Sequence, residues 1–266
     1  MRPGPLRSAS RRVLATLLAA VIAVLIWIVV LSAFHISPLV GKSPSDVWTY
    51  LVSGPDAVEN RDVQFGYLGV TLRDAGVGYL VGLAASFVLG VAFTLSGIVE
   101  KVFTPGVMLM RSIPLVVMTP LVTLVFGVNL WSVAVITTLI VFFPATINIM
   151  AGLRRVNPQL VDLVRAHNGS TWTVLWKVSF ASSLPALFAS ARLAVPAAMT
   201  GALVGEWLVT GEGLGGSVSR ASATFGYGEM WASAVLITVV TMVLYAIVSA
   251  LDGLVVHRFG APRGTQ

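Results

Sequence analysis

The sequence has no cysteine, which excludes disulfides, thiolate metal sites and cysteine nucleophiles. It has little charge: 11% of its 266 residues are Asp, Glu, Lys or Arg, against about 25% in a soluble domain. Its three histidines, His35, His167 and His257, are too scattered to predict a metal site. No Ser/His/Asp set converges, so no catalytic residue and no metal ligand is assigned. Gly41-Lys42-Ser43 has the ending of a phosphate-binding loop, but Ile36 stands where that motif needs its first glycine. Nucleotide binding and catalysis by this chain itself are therefore not expected. The net charge of +6 comes without interleaved aromatics, so no nucleic-acid partner is expected either.

What the chain has in abundance is apolar length. It is 56% hydrophobic, with mean hydropathy +0.90, and that surface must face lipid. Six segments can cross about 30 Å of hydrocarbon. They are Val13–Phe34, Ala75–Ile98, Val102–Val128 (interrupted by Arg111), Asn129–Leu153, Leu184–Glu206 (containing Arg192) and Met230–Leu251. The first is too long for a signal-peptide core of about 7–15 residues and reads as a signal anchor. With the N-terminus in the cytoplasm, eleven basic residues face three acidic ones inside, and four face seven outside. The positive-inside rule then places both termini in the cytoplasm. The expectation is an all-α integral membrane protein of the bacterial inner or plasma membrane. It has a tail 1–12, a single membrane domain 13–255 and a tail 256–266.

Local patterns refine this outline. Ser43 or Ser45 can cap a short outer helix beginning near Pro44 or Asp46, and Tyr67–Asp74 is a second amphipathic stretch. Gly78, Gly82, Ser86 and Gly90 recur every four residues, a small-residue stripe that lets another helix approach closely. Pro105, Pro114 and Pro120 predict a broken third span, tolerated where it is buried in protein or lines a cavity. Arg111 and Pro114 lie in that stretch, and an intramembrane arginine marks an interior or aqueous path, or a structural ion pair. Glu206 closes the fifth span after Gly201 and Gly205. It is a candidate gate or pathway residue, with an interfacial carboxylate held by a neighbouring backbone or arginine as the alternative.

The longest cytoplasmic loop, 154–183, carries the clearest design. Asn157 is a good N-cap and Pro158 suits the first helical turn. Leu160, Leu163 and Val164 form an apolar stripe among Asp162, Arg165 and His167, and Asn168-Gly169 reads as a stop. A second short helix is expected over Trp172–Val178. A short helix with one apolar face fits a groove on a partner, or rests on lipid.

Leu163-Val164-Arg165-Ala166-His167-Asn168-Gly169, followed by Leu184-Pro185, resembles the signature loop of binding-protein-dependent ABC importer permeases. In that family a Glu-Ala-Ala triplet precedes the glycine; here Leu163, Val164 and Arg165 occupy it. Ser43-Pro44-Ser45-Asp46-Val47-Trp48, Arg111-Ser112-Ile113-Pro114, Leu203-Val204-Gly205-Glu206-Trp207 and Gly213-Leu214-Gly215 resemble the nitrate, sulfonate, taurine and thiamine-precursor group. The resemblance implies a type I importer permease of six transmembrane helices with a cytoplasmic coupling helix. It also implies two cytoplasmic ATPases that bind ATP and Mg, an extracytoplasmic solute-binding protein and a second permease copy. Leu160, Asp162, Leu163, Arg165, Ala166, His167, Gly169 and Ser170 would then contact the ATPase.

Two other classes remain in view. An ATPase-independent secondary transporter would favour inverted repeats and acidic residues deep in the spans. The sequence presents no repeat and no acid expected at that depth. A membrane enzyme would need polar catalytic residues clustered at one depth, and these are absent.

Overall fold

Serine, asparagine and proline set most helix ends. The computed structural model describes residues 5–259, with side chains from 18 to 253 apart from that of Arg111. The outermost parts of the two expected tails, 1–4 and 260–266, lie outside the described residues. Helix α1 spans Pro5–Ala33. Helix α2, Pro44–Trp48, begins with a complete capping box: Ser43 Oγ accepts the Asp46 N–H while the Asp46 carboxylate accepts the Ser43 N–H at 2.8 Å. A π turn over Thr49–Ser53 leads on to α3, Ala57–Leu95. Ser96 is extended and caps α4, Gly97–Ser112. Pro114 then forces Ile113 out of the helical region, to φ −80° and ψ 123°, and α5, Leu115–Phe126, leaves at a bend of 105°.

Gly127, at φ +81°, ends α5 in a conformation other residues avoid. Asn129 caps α6, Leu130–Arg154, by accepting the Trp131 N–H at 2.8 Å. Helix α7 is Pro158–Ala166 and α8 is Thr171–Val174. A π turn over Leu175–Ser179 joins α8 to α9, Phe180–Gly205, and another over Glu206–Thr210 ends it. Helix α10, Gly213–Ala223, and α11, Tyr227–Phe259, complete the chain. No strand occurs among the described residues.

Four helical runs are long and apolar enough to cross a bilayer singly: α3, α6, Thr171–Thr210 and Tyr227–Gly253. The pair α4–α5 is long and apolar enough only when taken together, bent at Ile113-Pro114 as a broken span or a re-entrant loop. The first expected span corresponds to α1, whose apolar stretch among the described side chains is Leu18–Ala33. The amphipathic stretch Tyr67–Asp74 leads into the second span within one helix: α3 is unbroken from Ala57, since no proline intervenes, and Gln64, Leu68 and Thr71 are buried against the protein. One expectation is revised. The second short helix of the long loop is continuous with the fifth span, through the π turn, and Pro185 lies inside α9.

Helix α6 lies between α3 and α9, and small residues set the spacing. A Cβ on Gly78 would overlap Thr137; on Gly82 it would lie 2.8 Å from Val141, and on Gly90 3.0 Å from Ile149. Ser86 donates to the Phe142 carbonyl at 3.0 Å. From the other side, Cβ atoms on Gly201 and Gly205 would come within 2.7 Å of Thr137 and 2.8 Å of Val133. The four-residue stripe is thus a packing device, as close helix approach requires. Ala75, Val141, Ala194, Ala198, Met199 and Ala202 form the core there. Helix α1 is tied to α11 by Trp27, which stacks on Trp231 at 5.2 Å, while the Trp231 indole donates to the Val40 carbonyl at 2.9 Å.

Candidate functional site

The bundle has two informative ends. At the first, Arg154 closes α6 and grips Glu100 with both terminal nitrogens, at 2.6 and 2.9 Å. It also reaches the Phe93 carbonyl at 3.3 Å, so the turn between α3 and α4 is fixed to the end of α6, just before α7. Asn157 Oδ1 accepts the Gln159 N–H at 2.9 Å and starts α7. At its other end the chain turns through Asn168, whose φ is +58°. Asparagine tolerates this left-handed position. Gly169 needs no positive φ, but its N–H bonds the Val164 carbonyl at 2.9 Å and a Cβ there would lie 2.6 Å from that oxygen. The glycine is required by close approach. Ser170 then caps α8 through the Thr173 N–H at 3.3 Å.

No α7 side chain is buried. Leu160, Asp162, Leu163, Arg165, Ala166, His167 and Ser170 are all exposed, while Gly169 is half-buried under Val164. The loop is therefore rigid at both termini and uncovered between them. Leu175 and Val178, just beyond, anchor it to the bundle, whereas Trp172 and Trp176 stay outside.

At the break between α4 and α5, Pro114 is exposed, and the side chain of Arg111 lies outside those described. A cavity of about 220 Å³ lies against this break, lined by Met110, Ile113, Leu115, Met118, Leu139 and Phe143 among others. Its walls are apolar, so it can take hydrocarbon or a flat ring but offers few hydrogen-bonding groups.

The second end centres on Glu206, which is completely buried. Thr71 Oγ1 donates to Glu206 Oε2 at 2.9 Å, and the Gly215 N–H donates to the same oxygen at 2.8 Å. Thr71 Oγ1 in turn accepts the Leu214 N–H at 2.9 Å. The carboxylate thus serves the N-terminus of α10, where unpaired N–H groups and the helix dipole favour negative charge. Gly213, at φ +60°, sits so close that a Cβ would lie 2.6 Å from Glu206 Oε1. Asp74, beside Arg73 at 2.8 Å, is also buried. Sequence reasoning placed no acid deep in a span; Glu206 and Asp74 are both interior, Glu206 at the end of α9 and Asp74 midway along α3. Asp252, counted there as a loop charge, lies inside α11 and is bonded by Arg192 at 3.1 Å. The missed partner of Glu206 is Thr71; the glycines at 211, 213, 215 and 216 signal close packing beside Glu206 but not that partner.

Comparison with known proteins agrees with this arrangement. Residues 78–260 match the family described as binding-protein-dependent transport system inner membrane component. A probable ABC transporter permease protein of Haemophilus influenzae is 30% identical, over 79% of this chain and 86% of its own. The formylaminopyrimidine transport permease protein ThiX of Halalkalibacterium halodurans is 29% identical, over 77% and 84%. Among solved structures, a chain of the MetNI methionine ABC transporter in inward-facing conformations superposes with TM-score 0.58 at 20% identity, covering 77% of this chain and 99% of that one. That likeness carries the fold, the type I importer permease fold. The chain is a multi-pass membrane protein and belongs to the binding-protein-dependent ABC importer permeases.

Proposed function

We propose that this subunit forms half of a translocation pathway for a small polar or anionic solute, with formylaminopyrimidine, the solute named for ThiX, as the first candidate. The observation that carries the reading is α7: a short helix pinned by Asn157 and Asn168-Gly169, with no side chain buried and only Val161 and Val164 partly covered. Such a helix is stable alone only because its ends are fixed, and its apolar residues Leu160 and Leu163 await a groove. A cytoplasmic ATPase, which binds ATP and Mg, supplies that groove through contacts with Leu160, Asp162, Leu163, Arg165, Ala166, His167, Gly169 and Ser170.

The α7 end is then cytoplasmic, with both termini, in accord with the basic excess there. The α10 end faces outward and receives solute from a binding protein. A second copy of this chain completes the pathway, along which Arg111, Pro114 and Glu206 stand. Hydrolysis belongs to the partner. The test is uptake of labelled formylaminopyrimidine into proteoliposomes holding this chain, its ATPase and its binding protein. Uptake that needs ATP and all three components is expected. Uptake driven by an ion gradient without the ATPase would establish a secondary transporter instead.

A further inference from the structure

The face of α3 toward α10 carries a run of polar side chains, whereas its contact with α6 is made mainly by glycines, with Ser86 and its bond to the Phe142 carbonyl as the exception. Gln64, Tyr67, Thr71 and Asp74 stand at helical spacing on one side of the helix. Gln64 Oε1 accepts from Ser233 at 3.0 Å, and Ser233 shares a hydrogen bond of 2.8 Å with Ser217 on α10. The Arg220 guanidinium lies 5.0 Å from the Tyr67 ring centroid. Thr71 bonds both Glu206 and the Leu214 N–H. Further along α3 the contact with α6 is made by Gly78, Gly82 and Gly90 against Thr137, Val141 and Ile149.

These two contacts respond differently to separation. Parting the knob-and-glycine contact forfeits the close packing against Thr137, Val141 and Ile149 that holds membrane helices together. A hydrogen-bonded seam that opens to water exchanges each bond for one to solvent, at small net cost. The closed seam is also incompletely satisfied: Glu206 Oε1 and Gln64 Nε2 are buried without partners, and water admitted on opening would pair both. Around Glu206 the chain is closely fitted: Gly213 faces only its carboxyl group, and a Cβ on Gly215 would overlap the Leu203 carbonyl and lie 2.9 Å from the Glu206 Cβ.

From this geometry we infer that Glu206 is a positioning residue of the translocation cycle. Its carboxylate holds the start of α10 against Thr71 of α3, and this seam parts and re-forms as solute enters. The inference rests on the importer reading above and adds to it which contact within the subunit opens. The seam from Gln64 to Thr71 separates while the glycine contact below it stays shut.

The absence of native cysteine makes the test clean. The double variant Thr71→Cys, Leu214→Cys is assembled with its ATPase and binding protein in proteoliposomes. ATP-dependent uptake of formylaminopyrimidine is compared before oxidation, after copper-phenanthroline and after dithiothreitol. Oxidation is expected to cross-link α3 to α10 and lower uptake at least tenfold, with recovery on reduction. Complete cross-linking with unchanged uptake overturns the inference. If the unsubstituted assembly takes up nothing with ATP, the importer reading fails instead. The role of Glu206 is read separately, by labelling Ser217→Cys with a membrane-impermeant maleimide. Glu206→Ala is expected to speed labelling about tenfold. Glu206→Gln, which keeps one acceptor oxygen, should return most of the protection. Equal rates in all three backgrounds contradict the assignment.

Discussion

Arg192 on α9 donates to the carboxylate of Asp252 on α11 at 3.1 Å, with the Tyr245 ring 5.9 Å from the guanidinium. Asp252 is 8% exposed while the Arg192 side chain keeps 31% of its surface exposed, so the pair joins two membrane helices at a part-buried site. Removing Arg192 leaves the Asp252 carboxylate without its cation. Arg192→Leu is expected to destabilise the folded chain by about 1–3 kcal/mol, less than a fully buried pair because solvent screens the arginine. The double variant Arg192→Leu, Asp252→Leu should lose much less. Denaturation in mixed detergent micelles measures both, and equal losses would mean the pair is not coupled.

The glycine stripe gives an opposing pair of substitutions. At Gly78 a Cβ overlaps Thr137, whereas at Gly76, on another face of α3, nothing lies within 4 Å. Gly78→Ala is expected to cost about 1–3 kcal/mol through overpacking. Gly76→Ala should be neutral or stabilising by up to about 1 kcal/mol, since alanine favours the helix. Thermal unfolding in detergent distinguishes them, and identical shifts would show that the α3–α6 contact is looser than described.

Helix α2 lies outside the spans and carries a pH dependence. Hydrogen bonds from the Ser43 side chain and backbone hold the Asp46 carboxyl below its ordinary value of 3.8. A lowered folded-state pKa stabilises the fold above the unfolded value, and that contribution is lost as pH falls through the folded one. Amide protection in α2 should therefore hold from neutral pH to about pH 4, the ordinary carboxyl value, and decline below it. Ser43→Ala should cost about 1 kcal/mol at neutral pH and weaken the acid dependence. Hydrogen exchange followed by mass spectrometry reads both effects.

The sequence made the caps plain and concealed the long-range contacts. Ser43 and Asn157 are legible because N-cap chemistry is local, acting within three residues. Pro114 is legible as a break because it acts on its own neighbour. The burial of Glu206 was not, since its partner Thr71 lies 135 positions away. Nor was the continuity of α8 with α9, because a π turn has no residue signature comparable to a glycine stop. The α7 loop was readable almost whole, with one refinement: Asn168 takes the left-handed conformation and Gly169 supplies the room.

That room predicts how the loop fails. Gly169→Ala places a methyl group against the Val164 carbonyl, and should shift the end of α7 without disturbing the anchored Leu175 and Val178. Uptake is expected to fall about tenfold while membrane insertion and thermal stability in detergent change little. A large loss of stability would instead make the turn part of the folding core.

Co-purification of the ATPase tests the reading of α7 most directly. This chain, tagged, is co-expressed with its ATPase and extracted in detergent, and the unsubstituted form is compared with Gly169→Arg. The ATPase should accompany the unsubstituted chain in stoichiometric amount and be lost from the variant, while both chains elute as folded, monodisperse species. A folded chain that never retains an ATPase, or a Gly169→Arg variant that retains it fully, would contradict α7 as the docking element.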